Sequence, residues 1–367
     1  MTIHPYFPIR ARNISQKADT LDIIEKLQKL ATGDKGIGAD DALRLLEEGA
    51  ERPFRVMAAA VEIRRHFKGD AISLCSIINA KSGKCPENCK FCAQSAHYAT
   101  DVESYPLKKA QEIIEEAEAA GRAGAEMFGI VTSGKRIKAK KEWAEIVRAI
   151  RGINALGMKA CASLGIIDEE KARTLRDAGL YRYHHNLETS RSFFPEICTT
   201  HAYDEDVETV RAARAAGLSV CCGGLIGLGE GIRHRIELAL TLRELNVDSI
   251  PVNILNPIKG TPLGRTPPLP PLEILLTIAV FRFLLPDKDI KLCGGKEKNL
   301  RQLLPLGLVA GANALMTGHY LTTPGREAGM DLEMIKDMGL KATRQPAPVC
   351  ACTAGKKRSR SCKNFKG

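Results

Sequence analysis

The chain has 367 residues, of which 44% are hydrophobic, 26% charged and 5% aromatic, a globular composition long enough for one barrel of about 250 residues with extensions. No run of 18 apolar residues occurs, and the start MTIHPYFPIRARNISQK lacks the apolar stretch of a secretory signal, so a cytoplasmic protein with no membrane partner is expected. The net charge of +11 is uneven: from Lys341 onward there are eight Lys or Arg and no acidic residue, with no aromatic-interleaved patch or RNA module beside them, so no nucleic-acid partner is expected.

The first seventy residues read as helices at Asp19–Leu30, Ala39–Gly49 and Pro53–Phe67, with Asp40 and Asp41 offered as an N-cap for the second. From there the pattern alternates. Strands are predicted at Ile72–Asn79, Met127–Thr132, Lys159–Leu164, Tyr181–Leu187, Ser219–Ile226, Ser249–Leu255, Ile290–Cys293 and Ala314–Thr317. Helices are predicted between and after them at Leu107–Ala120, Lys141–Ala155, Glu169–Ala178, Asp204–Ala216, Ile232–Leu245, Leu272–Phe283, Lys298–Leu308 and Met330–Met338. Eight βα units in sequence predict an α/β fold, a closed (β/α)8 TIM-type barrel over 71–340, rather than a doubly wound open sheet. An N-terminal helical extension (1–70) precedes it and a basic tail (341–367) follows. In a barrel, catalytic groups sit at the C-terminal strand ends.

Twelve cysteines in a reducing compartment suggest metal ligands or redox groups before disulfides. Cys85-Pro-Glu-Asn-Cys89-Lys-Phe-Cys92 lies in the loop after the first strand. Its C-x3-C-x2-C spacing lets three thiolates take three corners of a 4Fe–4S cubane and leaves one iron open. An open iron can chelate S-adenosylmethionine (SAM), so that an electron from the cluster breaks its sulfonium bond, with Phe91 beside the nucleoside. A structural zinc loop would want C-x2-C pairs and a fourth ligand, and none stands nearby.

These residues resemble the radical SAM superfamily. Further stretches resemble the biotin synthase family: Asn186-Leu187-Glu188-Thr189-Ser190, the glycine-rich 223–230, Pro251–Leu255 with Lys259-Gly260-Thr261-Pro262-Leu263, and Ala310-Gly311-Ala312-Asn313. The resemblance implies a sulfurtransferase that turns dethiobiotin into biotin. The 5′-deoxyadenosyl radical would take hydrogen from C9 and C6, so no side chain is expected to be catalytic itself. Glu188 would hold ribose hydroxyls, with Thr132, Ser133, Gly227 and Gly229 also on the SAM side. His184, Asn186 and Asn253 would face the substrate. A flavodoxin or ferredoxin would supply electrons to the basic surface, and a homodimer is implied.

The sulfur source is where the chain departs from that family. The resemblance implies a 2Fe–2S cluster held by three cysteines and an arginine; Cys161 and Cys221 match two of them, but Gly129 stands at the third. Lys291 and Lys296 replace arginines, and a lysine must lose its proton before it can ligate iron. Two remedies are open. Cys161, Cys221 and Cys293 fall on the third, fifth and seventh strands, and alternate strands share a layer of the barrel interior. The favoured one is an auxiliary cluster, 4Fe-type rather than 2Fe–2S, on the tail's Cys350, Cys352 and Cys362, where neighbouring cations favour thiolates. Cys75, Cys198 and Cys222 are read as plain thiols.

Overall fold

The computed structural model describes residues 22–33 and 36–345, so the cysteines expected at 350, 352 and 362 lie outside the described residues. Nine strands build the barrel: β1 (Ala71–Lys81), β2 (Met127–Thr132), β3 (Lys159–Ser163), β4 (Arg182–His184), β5 (Ser219–Cys221), β6 (Gly224–Ile226), β7 (Ser249–Ile254), β8 (Asp289–Leu292) and β9 (Ala314–Met316). Neighbours are parallel throughout, and β9 pairs back onto β1 through Ser73–Ala314 and Leu74–Leu315, which closes the ring. The staves number eight, because β5 and β6 are halves of one. The break falls at Cys222-Gly223, and a Cβ on Gly223 would lie 2.2 Å from the Pro251 carbonyl oxygen. The chain presses against β7 there, which a side chain would prevent. The single strand expected at Ser219–Ile226 is therefore interrupted.

Three helices, α1 (Ile23–Gly33), α2 (Ala39–Glu51) and α3 (Pro53–Lys68), precede the barrel. Pro53 sits at the first turn of α3, where its missing N–H costs nothing, and Gly69 at φ 64° ends it. The N-cap of α2 is Gly38, with Asp40 and Asp41 inside the first turn, where they favour the helix dipole rather than cap it. All three helices pack on the helix Pro271–Leu284, whose side chains from Ile274 to Leu284 are all buried. That explains a helix apolar on every side: one face meets the barrel and the other the N-terminal helices.

The helix expected at Lys298–Leu308 is broken into Lys296–Leu300, a 3-10 turn at Arg301–Leu303 and Leu306–Val309. Arg301 has φ 52°, and Pro305 cannot donate within a continuous helix. A short strand that the sequence reading missed, β10 (Lys341–Ala342), pairs with Ala71 and Ile72 at the N-terminal end of β1. Asn313, from one of the family-like stretches, also lies at that end: its Oδ1 accepts from Arg282 Nη2 and Ile290 N, both at 2.9 Å. Buried Arg282 also donates to the carbonyls of Gly311, Pro286 and Lys288 at 2.8–2.9 Å. These groups close the base of the barrel, where function is not sited.

Candidate active site

Cys85, Cys89 and Cys92 face one cavity of about 430 Å³ formed by the C-terminal strand ends. The chain leaves β1 through Gly83 (φ 72°) and Lys84 (φ 50°), a left-handed pair that turns it sharply into the cysteine loop. Within the loop, Cys85 N donates to Gln94 O at 3.0 Å, Ala96 N to Cys85 O at 2.7 Å and Cys92 N to Cys89 O at 2.9 Å. Burial raises the Cys85 thiol and lifts Cys92 to about 11, so ionising them calls for a cation. Three thiols from one compact loop on one cavity wall fit a cubane. The Lys259–Leu263 turn lies over this loop: a Cβ on Gly260 (φ +94°) would sit 1.9 Å from Ala99 O, so only glycine permits the approach.

The expected cofactor and substrate residues divide into two groups. Phe91, Thr132, Ser133, His184, Asn186, Glu188 and Asn253 all line the cavity. Phe91 packs against Ile197, Leu228 and Leu255. Thr132 Oγ1 and His184 Nε2 are buried without a hydrogen-bond partner among the described residues, the condition of groups that await a ligand. Ser133 Oγ, by contrast, donates to Gly83 O at 2.8 Å. Gly227 and Gly229, at φ +91° and +103°, do not line the cavity. The amides of Gly227 and Leu228 donate to the Glu230 carboxylate at 2.9 and 2.7 Å, and Arg235 Nε holds Glu230 at 2.6 Å. The glycine-rich turn thus serves its own frame.

Glu188 ends the fourth stave at φ 63°, a left-handed conformation strained for a non-glycine residue and kept where a site needs it. Burial, and then the Asp206 carboxylate, raise its pKa to about 8, against the Asn186 Nδ2 bond at 3.4 Å. Asn253 spans two turns: its Nδ2 donates to Gly224 O at 3.3 Å, and its Oδ1 accepts from Gly294 N at 3.1 Å. Burial, then the Lys291 and Arg182 cations, hold His184 well below the usual imidazole range, so its ring is neutral.

Behind the cavity the barrel interior is rich in thiols. Cys75 and Cys161 cluster with Met127, and Cys221 Sγ lies 4.0 Å from Lys291 Nζ. Burial opposes the Lys291 ammonium, while negative charge on Cys221, then Cys75 and Cys293, favours it and raises its pKa. Cys161 and Cys293, on the third and seventh staves, each lie within electrostatic reach of Cys221 on the fifth. Cys75 on the first stave joins them, although it was read as a plain thiol; Cys222, read likewise, is buried in the main core. Lys296 Nζ is bound by Glu297, the Met316 carbonyl and Tyr320 at 2.7–2.8 Å.

Sequence reasoning also missed Cys198, His201 and Asp206. Cys198 Sγ lies 3.7 Å from Cys89 Sγ, and His201 joins Glu87 at 2.5 Å to Asp206 at 3.2 Å. Burial opposes the His201 cation, but its bonds to Asp206 and Cys198 raise it to about 11. A Cys-x2-His spacing in the loop after the fourth strand was the available signal.

A closed parallel barrel with three thiols in the loop after its first strand, beside a nucleoside-sized cavity, defines a radical SAM enzyme. The Radical SAM superfamily model matches residues 80–252, and the Biotin and Thiamin Synthesis associated domain matches 251–341. The chain is 53% identical to the biotin synthase of Pelobacter propionicus over 83% of its length and 93% of that protein. It is 55% identical to that of Geobacter sulfurreducens over 81% of its length and 90% of the relative. The chain belongs to the biotin synthase family. Among solved structures, methylornithine synthase superposes with a TM-score of 0.75 at 22% identity, covering 87% of this chain and 97% of that one. The FeFe-hydrogenase maturase HydG from Carboxydothermus hydrogenoformans gives 0.74 at 16%, covering 88% and 79%. At those identities the likeness is one of fold. No described helix is long and apolar enough to cross a membrane.

Proposed function

We propose that the chain converts dethiobiotin to biotin, with Cys85, Cys89 and Cys92 holding a 4Fe–4S cluster. When bound, that cluster supplies the electron that cleaves SAM. The observation that carries the reading is the convergence of these three thiols with Glu188, Asn186, Asn253 and His184 on one cavity. The protein's own contribution is placement. Glu188 and unpartnered Thr132 Oγ1 offer bonds to the ribose and polar head of the cofactor, and Phe91 covers the nucleoside. Neutral His184, with Asn186 and Asn253, offers donors and acceptors to a cyclic urea. The walls exclude water from the reacting carbon.

An auxiliary iron–sulfur cluster supplies sulfur in this reading. The tail set Cys350, Cys352 and Cys362 is supported by three thiols within a cation-rich stretch. A second reading, favoured by the convergence of Cys161, Cys221 and Cys293 with Cys75 behind the cavity, places it inside the barrel. An acidic flavodoxin or ferredoxin as donor, a homodimer and a cytoplasmic location complete the proposal, with the helical extension 1–70, barrel 71–340 and tail 341–367 as its parts. The cytoplasmic location fits chemistry that needs the described cysteines as thiols, and none of those is in a disulfide. Anaerobic incubation with SAM, a reductant and dethiobiotin should yield 5′-deoxyadenosine and biotin together. Deoxyadenosine without biotin would leave the radical chemistry standing and defeat the substrate assignment.

A further inference from the structure

The loops that follow β1 and β2 enclose a groove of about 720 Å³ whose cations are Lys81, Lys84, Lys135, Arg136 and Lys138. The chain after β2 extends this charge: Lys135, Arg136, Lys138, Lys140 and Lys141 fall in one stretch, 135–141, with no acidic residue among them. Lys81 Nζ is paired with Glu142 at 2.7 Å and Lys135 Nζ with Glu205 at 3.0 Å. Lys84, Lys138 and Lys140 are exposed and form no ion pair among the described residues. Glu87, the acidic residue on the groove wall, is buried, and its carboxylate is taken by Thr200 Oγ1 at 2.6 Å and His201 Nδ1 at 2.5 Å. Ser133 staples the two loops together, its N donating to Lys81 O at 2.9 Å and its Oγ to Gly83 O at 2.8 Å. The groove shares a wall with the cavity: Glu87, Ser133, Gly134 and Lys135 line both. Lys84 and Pro86 line the groove, while Cys85 between them lines the cavity, with the Gly134 N–H directed at its sulfur.

We propose that this groove is the docking site of an acidic one-electron carrier protein, with Lys138 and Lys140 steering the carrier in and Lys84 lying beneath it. The proposal rests on Cys85, Cys89 and Cys92 holding the SAM-cleaving cluster. The electron that cluster needs has to come from outside the chain, and the cavity is taken up by the cofactor and substrate. A carrier seated in the groove stands one residue's thickness from the Cys85 thiol. It gives up one electron and leaves one electron more oxidised, the cluster gains that electron, and no bond to the protein forms. Exposed, unpaired cations suit such a partner. They raise its rate of encounter, give up little hydration on contact and let it go again, as small electron-transfer interfaces do. A nucleic acid would also meet the charge, but it has no use for a wall shared with Cys85.

Calorimetric titration of an oxidised flavodoxin, and separately of an oxidised plant-type ferredoxin, into the full chain reads docking without turnover. Lys138→Glu with Lys140→Glu should weaken carrier binding about tenfold at low salt and flatten its salt dependence. Lys26→Glu with Lys29→Glu makes the same change in net charge on exposed positions of α1, which packs on α2 and α3, and should leave binding as it is. In the reconstituted enzyme, 5′-deoxyadenosine formation should need about tenfold more reduced carrier in the groove variant. Its dithionite-driven rate should stay at the wild-type level, which also shows that the variant folds. Should that rate fall, Lys138→Gln with Lys140→Gln takes its place. Unchanged binding in the groove variant, an equal loss in the α1 variant, or no binding of either carrier to the wild type overturns the proposal. So does a mixed-sequence RNA oligonucleotide that loses affinity in the groove variant while the carriers keep theirs. A wild-type protein that forms no 5′-deoxyadenosine even with dithionite would instead refute the cluster assignment, and the proposal with it.

Discussion

Gly129 faces His184 across the barrel interior: a Cβ on Gly129 would lie 3.9 Å from His184 Cε1 and 3.1 Å from Ile77 Cγ2. The position that lacks the expected thiol is thus the one beside an unpartnered imidazole. If His184 bonds the substrate, His184→Leu should raise the KM for dethiobiotin about tenfold, the cost of one lost neutral hydrogen bond. His184→Asn, which keeps a donor and an acceptor, should stay near the wild type. Steady-state kinetics over a range of dethiobiotin concentrations measures both.

Opposite pH signatures should come from two neighbours in this cavity. Glu188, raised to about 8, binds a proton when folded that the unfolded chain releases near 4.5. Its contribution to stability is therefore present in acid and lost as pH rises toward 8. His184, depressed by burial, binds fewer protons folded than unfolded, so its contribution is present above about 6.5 and falls as pH drops below that value. Urea unfolding of the metal-free protein from pH 5 to 9 should show Glu188→Gln losing less stability than the wild type on the alkaline side. His184→Asn should lose less on the acid side.

The glycine-rich turn has a separate test. Glu230 and Arg235 form a buried ion pair, with side chains 2–3% exposed, and Glu230 also holds two turn amides. Glu230→Ala leaves those amides and much of the guanidinium charge without a partner, and should cost about 3–5 kcal/mol. Arg235 keeps its bond to Glu273 at 2.9 Å, which argues for the lower end. The urea midpoint reads this directly, and an unchanged midpoint would show that the turn needs no such frame.

The barrel and the cysteine loop were legible in the sequence because both depend on local pattern. β2 runs over Met127–Thr132 as its apolar, β-branched stretch predicts, and Cys85, Cys89 and Cys92 need only their own spacing to converge. What was not legible depends on contact at a distance. Gly227 and Gly229 looked like backbone approaching a ligand, but Glu230 takes the amides of the turn instead. Cys75 is a buried core thiol, as read, but the pairing of β1 with β2 and of β2 with β3 also sets it beside Cys161, which no local pattern announces. Cys198 lies 109 residues from Cys89, and only the fold makes them neighbours.

The two auxiliary-cluster readings differ in place, which makes them separable. β10 fixes Lys341 and Ala342 beside Ala71 and Ile72, at the end of β1 away from the cavity. If the tail holds the cluster, Cys350→Ala, Cys352→Ala and Cys362→Ala together should lower iron from about eight to about four per chain, counting one cubane for each site. Biotin would be lost while 5′-deoxyadenosine production persists. If the barrel holds it, that triple variant keeps its iron, and the same loss follows from Cys161→Ala with Cys221→Ala. Iron and acid-labile sulfide analysis of the two variants after one anaerobic reconstitution decides between them. About four irons in the wild type and in both variants would exclude an auxiliary cluster at either place.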